Sequence, residues 1–271
     1  MQPLEWLVIG ALAALAAVAL LIRAFRRAKV RRATVPQTLA YLQAGGMQSP
    51  RYLPKESIAG MVYPFQSGWD DFKDGDASGS QYVSGVYRDH PVLLSKVNLW
   101  VRDEDPDAPL IALSSRQYNA YYKNFTYFNG EWFIFRIKAK YDADLTLIDR
   151  RLTERDDDHY PGGSTRSTRC VPEPALVGLY DAYGSISDPN AFRALMTSDA
   201  VRVLKKLYKV YRPVIFLRGN KIHIGLSHLE MDFRRHPDET EEEWNARQNL
   251  FGILDDLTEL IRLWGDPPDE V

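Results

Sequence analysis

Hydrophobic and polar positions change period several times along the chain. Trp6 to Ile22 is seventeen residues without a polar side chain. At about 1.5 Å per residue this is roughly 25 Å of helix, near the short limit for crossing a hydrocarbon core. A core helix of a soluble domain rarely lacks polar residues on every face. The pattern therefore predicts a transmembrane helix. Residues 33–60 read as a connector with one short helix, TVPQTLAYLQAGG, stopped by Gly45-Gly46. Residues 67–81 are polar and glycine-bearing and read as a loop.

From Tyr82 the period shortens to two. YVSGVY and VLLSKVNLWV flank RDH and predict a hairpin. FTYFNGEWFIFRI predicts a second, with Asn129-Gly130 as a type I′ turn. LTLIDR reads as the next strand. Residues 151–174 carry mixed charge, glycines and prolines and read as a long exposed excursion. LVGLYDAYG returns to strand character. In the last third, SDPNAFRALM starts a short helix, and SDAVRVLKKLYKVY places Val201, Leu204, Leu207, Tyr208 and Tyr211 at helical spacing. VIFLRGNKIHIGL predicts a hairpin turning at Gly219-Asn220. TEEEWNARQNLFGILDDLTELIRLWG reads as one long helix, with Thr240 and Glu243 as a capping box and Leu250, Leu254, Leu257, Ile261 and Trp264 as its apolar seam. Together these predict an α+β fold: an N-terminal transmembrane helix, then a cytoplasmic domain with a largely antiparallel sheet and packed helices. The expected division is an anchor with its basic flank over 1–32, the connector over 33–60, the domain over 61–265 and a tail over 266–271.

Charge changes the picture at the amino terminus. Arg23, Arg26, Arg27, Lys29, Arg31 and Arg32 follow the apolar run directly, and only Glu5 is charged before it. A cleaved signal peptide carries its positive charge first, so this order argues against cleavage. Basic flanks stay cytoplasmic. The expected topology is a bacterial inner membrane span with its amino terminus outside and the domain in the cytoplasm; a periplasmic body is the runner-up. The six cations are also expected to touch anionic headgroups. Beyond residue 32 the chain holds 28 basic and 35 acidic residues, a net charge of −7. An acidic body argues against nucleic acid as a partner. The single cysteine, Cys170, excludes an intrachain disulfide and fits a reducing compartment.

Candidate chemistry is sparse. Asp156 to His159 reads DDDH, but consecutive loop residues do not converge on a metal without a special turn. His223 and His228 are five apart, on opposite faces of a strand. Cys170 near Arg166 and Arg169 has neighbours that lower a thiol pKa, with no partner histidine marked. PGGS and GDASGS lack the spacing and lysine of a phosphate loop. No catalytic residue, metal ligand or cofactor is assigned. Arg202, Lys205, Lys206, Lys209 and Arg212 form a basic helical stripe, read first as a solvated face. The dense aromatic run gives the expected interaction surface for a protein partner: Tyr121, Phe125, Tyr127, Trp132 and Phe135. Alternation sends about half of that run to each face of a sheet, one of them core.

Three segments in order, SGWDDFKDGDASGSQYVSGVYRDHPVLLSKVNL, FTYFNGEWFIFRIKAKYDADLTLIDRR, and YDAYGSISDPNAFRALMTSDAVRVLKKL continuing through VIFLRGNKIHIGL, resemble bacterial domain-of-unknown-function family 3137 over roughly residues 60–262. The resemblance implies a membrane-anchored α+β domain and names no catalytic residues. Many members have two amino-terminal apolar spans, where this chain has one. The functional expectation is a non-enzymatic binding or scaffolding domain on the cytoplasmic face. The alternative is a membrane-tethered hydrolase or other enzyme using the polar 151–174 loop.

Overall fold

A computed structural model describes residues 16–22, 35–53, 75–104, 122–141, 144–153, 168–170, 174–184, 193–227, 229, 231, 238–240, 242–244 and 249–269. The protein is α+β, with a large antiparallel sheet and several helices. Its strands are β1 (Gln48–Tyr52), β2 (Gly75–Tyr87), β3 (His90–Glu104), β4 (Tyr122–Arg136), β6 (Leu145–Asp149), β7 (Thr168–Cys170), β8 (Tyr180–Gly184), β9 (Arg212–Arg218) and β10 (Lys221–Ser227), in the spatial order β1-β2-β3-β4-β10-β9-β6-β8-β7. A second, two-stranded sheet pairs β5 (Lys138–Ala139) with β11 (Gly265–Asp266). The helices that matter below are α1 (35–44), α2 (Arg150–Thr153), α3 (Ser198–Val210) and α4 (Leu250–Trp264).

Local chemistry explains most elements. The β2–β3 hairpin turns on Arg88 and Asp89, both left-handed (φ 47° and 69°), which is the two-residue turn whose twist matches the strands. The β9–β10 hairpin turns at Gly219-Asn220, as its sequence predicts, with Gly219 at φ 51°. Thr197 caps α3 by accepting from the Ala200 N–H. The Thr240–Glu243 capping box forms: the Thr240 hydroxyl accepts from the Glu243 N–H, and Glu243 accepts from the Thr240 N–H. All five seam residues of α4 are fully buried.

Several expectations are corrected. Asn129-Gly130 is not a turn; β4 runs through it as a central strand. Gly130 pairs with Val97 on one side and Ser227 on the other. Glycine is needed there because a Cβ would sit 2.1 Å from the Leu226 carbonyl oxygen. Just before it, Tyr127 is the extra residue of a bulge, since Leu99 pairs with Phe128 and Trp100 with Thr126. The 67–81 loop is strand from Gly75 onward. The long terminal helix is interrupted: Asn249 is left-handed (φ 41°, ψ 21°) and starts α4 afresh. The connector joins the fold, because Leu42 of α1 is buried in the core and β1 pairs with β2. The 151–174 excursion begins as α2, with Leu152 buried.

Both faces are buried at the centre of the sheet. Ladder partners share a face, so Phe133, Phe135, Ile215, Leu217, Ile222 and Ile224 lie together, and they form one core with residues of α1, α3 and α4. The opposite face carries Trp132, Phe216 and His223, all buried. Of the apolar run Trp6 to Ile22, residues 16–22 are described; they are helical, with Val18, Leu20, Leu21 and Ile22 exposed. Among the described residues no helix is long and apolar enough to cross a membrane.

His223 predicts an acid-sensitive fold. Its Nδ1 accepts from the Trp132 indole N–H at 3.2 Å. Burial, then the positive charges of Lys221 and Arg218, push its pKa down to about 2. The unfolded chain therefore takes up the proton first. This stabilisation is complete above the ordinary histidine range and is lost as pH falls from there toward 2, by up to about 1.4 kcal/mol per pH unit. Buried His90 is shifted in the same direction, chiefly by burial. Urea midpoints are expected to fall steadily below about pH 6.5, and His223→Gln to make that fall shallower. An equal slope in the variant refutes the assignment.

Candidate interaction site

A concavity lies where α1 meets the start of α4. Tyr41 of α1 packs between Trp244 (ring centroids 4.8 Å apart) and Phe251 (5.2 Å). Phe251 in turn approaches Tyr87 of β2 at 6.1 Å. Position 45 is glycine because the Phe251 ring occupies the place of a Cβ, with its Cζ only 1.8 Å away, and Gly46 at φ 93° ends α1. Tyr41, Ala44, Gly45, Asn249, Phe251 and Gly252 line a cleft of about 300 Å³. That volume is at the low end for small-molecule sites.

Polar groups brace the rim. The Tyr87 hydroxyl donates to Asp255 Oδ1 at 2.6 Å, and Arg88 pairs with the same oxygen at 2.6 Å. The tip of the β2–β3 hairpin is thereby held against α4. Burial, reinforced by the Asp255 carboxylate, pushes the Tyr87 phenol up to about 12. Burial does the same to Tyr41, with the Leu250 backbone N–H acting against it. Both phenols are therefore neutral across the physiological range. Among the described residues the lining holds no thiol, carboxylate or imidazole; what it offers is shape and aromatic contact. Among the described residues no group of three or more His, Cys, Asp or Glu is placed to hold a metal.

The residues singled out in the sequence fall elsewhere. Arg23, Arg26, Arg27, Lys29, Arg31, Arg32, Tyr121, Asp156 to His159, and His228 lie outside the described residues. Phe125 and Tyr127 are in β4, with only their backbone described. Trp132 and Phe135 are corrected as surface candidates: they are 1% and 0% exposed, one on each face of the sheet. The reason is the same one that removes the turn. A hairpin arm has a free edge, whereas the central strand β4 is flanked by β3 and β10 and buried on both faces. The basic stripe of α3 is partly used within the fold: Arg202 pairs with Glu259, and Lys206 with Asp256 at 2.7 Å, tying α3 to α4. Cys170 is in the edge strand β7. Sequence reasoning missed Tyr41, Gly45 and Phe251. The double glycine after α1 was their one signal, and it reads equally well as an ordinary helix stop.

No protein-family model matches the chain, and no curated protein matches it. The resemblance to family 3137 therefore rests on the three sequence segments that carry it. Among solved structures, the crystal structure of the mycobacterial trehalose monomycolate transport factor A, TtfA, is similar over 88% of this chain and 100% of that chain, at 11% identity and a TM-score of 0.40. A likeness this distant assigns neither family nor function.

Proposed function

We propose that this chain is a single-pass membrane protein whose α+β domain binds or scaffolds another protein at the cytoplasmic face of the bacterial inner membrane. The observation that carries the reading is the apolar run Trp6–Ile22, whose residues 16–22 are helical and expose Val18, Leu20, Leu21 and Ile22. A helix with an apolar exposed surface is stable where lipid covers it. The six basic residues that follow orient the domain inward. Residues 23–34 reach at most about 45 Å from Ile22 to the start of α1. Because α1 is built into the core, the tether keeps that end of the domain within that distance of the bilayer. The α1–α4 cleft replaces the aromatic strand as the surface where a partner side chain docks.

Topology reporters at the carboxyl terminus test this. A fluorescent cytoplasmic reporter is expected to be active, and an export-dependent one silent. Membrane pellets are expected to retain the full chain after alkaline carbonate extraction and to lose a chain lacking residues 1–32. An active export-dependent reporter, or release of the full chain by carbonate, sinks the reading.

A further inference from the structure

The Gly219-Asn220 end of the large sheet carries a row of cations. Arg136 of β4 is the ladder partner of Lys221 in β10, and Lys221 is the partner of Arg218 in β9. Directly opposed residues of an antiparallel pair project from one face, with Cβ atoms about 5 Å apart. Here it is the face of Trp132 and His223, away from the helices. Like charges directly opposite one another work against sheet pairing. Three in adjacent strands are therefore an arrangement that the fold carries at its own expense.

Arg136 and Lys221 are exposed, and among the described residues neither forms an ion pair. Arg218 is half-buried and held in place: Nη2 donates to Thr146 Oγ1 at 2.7 Å and Nη1 to the Leu217 carbonyl at 3.0 Å. Burial lowers its pKa, and the carboxylate of exposed Asp144 acts against that. The excess positive charge is felt inside the sheet, where Lys221 and Arg218 both disfavour a proton on His223. Two exposed cations of α3 are arranged differently, since Arg202 and Lys206 are matched by carboxylates of α4.

We propose that Arg136, Lys221 and Arg218 form a binding site for a phosphate-bearing anion, supplied either as a soluble phosphate ester or as the headgroup of an anionic lipid. Two guanidinium groups flanking an ammonium offer planar forks and a point charge to phosphate oxygens. Arg218 is pre-positioned by its own hydrogen bonds, while Arg136 and Lys221 close from the exposed side. The site lies on the sheet face opposite the helices that form the cleft and does not depend on the membrane anchor.

The test uses the full-length chain in a zwitterionic detergent. It is titrated with inorganic pyrophosphate, with dihexanoyl phosphatidylglycerol, and with dihexanoyl phosphatidylcholine as the zwitterionic control, and thermal midpoints are followed. At least one of the first two is expected to raise the midpoint, and to do so less at high salt. Response to pyrophosphate alone assigns a soluble ester, response to phosphatidylglycerol alone a headgroup, and response to both the shared phosphate chemistry. The double variant Arg136→Gln/Lys221→Gln is expected to weaken binding about tenfold or more. Its ligand-free midpoint should stay at or above that of the parent, because repulsion has been removed. Lys221→Glu is a second variant, expected to abolish binding while remaining folded. No midpoint shift with either anion up to about 10 mM, or unchanged affinity in either folded variant, overturns the assignment.

Discussion

Replacing Trp132 by alanine is expected to lower the unfolding free energy by about 4 kcal/mol, and the thermal midpoint by roughly 10 °C. The indole is 1% exposed. Phe128 meets it edge-on at 5.1 Å, and Phe216 stacks at 6.1 Å. Directly opposite in β10 is Gly225, where a Cβ would lie 2.7 Å from the indole ring. Glycine there leaves the space that tryptophan fills. Alanine at 132 would thus face glycine across the ladder, and neither residue has a side chain able to close the void. The lost indole N–H also leaves His223 Nδ1 without that donor, which adds about 1 kcal/mol. Trp132→Phe retains most of the ring and should cost less than half as much. Urea denaturation of the three proteins decides the matter. If Trp132 served a partner-binding surface, its loss would leave stability within about 0.5 kcal/mol and show only in binding. That outcome would falsify the assignment of β4 to the core.

The same strand shows what the sequence discloses and what it conceals. Alternation predicts β4, and Asn-Gly is the strongest short-range signal for a hairpin. Yet that signal reports only local backbone preference. Whether a glycine supplies positive φ or close approach depends on which chain lies beside it, and here that is Leu226, almost a hundred residues later in the sequence. Arg88-Asp89 is the weaker turn signal and forms the actual two-residue turn, because its flanking strands have matched partners in register. Where a pattern is satisfied within a few residues, as in the Thr240 capping box or the α4 seam, the reading holds. The cleft is a different case. Tyr41, Gly45 and Phe251 meet through packing of distant segments, and none belongs to a periodic pattern that marks function. The basic row is likewise invisible in sequence, since Arg136 lies more than eighty residues before Arg218 and becomes significant only when the ladder sets it opposite Lys221.

Arg151→Met is expected to lower stability by about 3 kcal/mol, although Arg151 looks from sequence like one more charge at the edge of a loop. Asp149 ends β6 with its side chain fully buried. Arg151 grips it with two bonds, Nε to Oδ1 at 2.9 Å and Nη2 to Oδ2 at 2.5 Å. The same Nη2 reaches the Tyr208 and Tyr211 carbonyls, each at 2.6 Å, and the guanidinium lies 3.9 Å from the centre of the Tyr208 ring. One side chain therefore neutralises a buried carboxylate and satisfies carbonyls at the end of α3 that the helix leaves without partners. Tyr180 supports the same helix by donating to the Leu204 carbonyl at 2.7 Å. Methionine fills similar volume but abandons both tasks. The two can be separated. In Asp149→Asn/Arg151→Met the buried charge is gone but the helix end is still uncapped, so about half of the loss should return. Arg151→Lys keeps a positive charge without the planar fork, and should fall between parent and methionine variant. If charge pairing alone mattered, the double variant would regain full stability and lysine would substitute freely. If neither task mattered, methionine would be tolerated within about 0.5 kcal/mol, and α2 would be an incidental turn rather than the joint that fastens β6 to the end of α3.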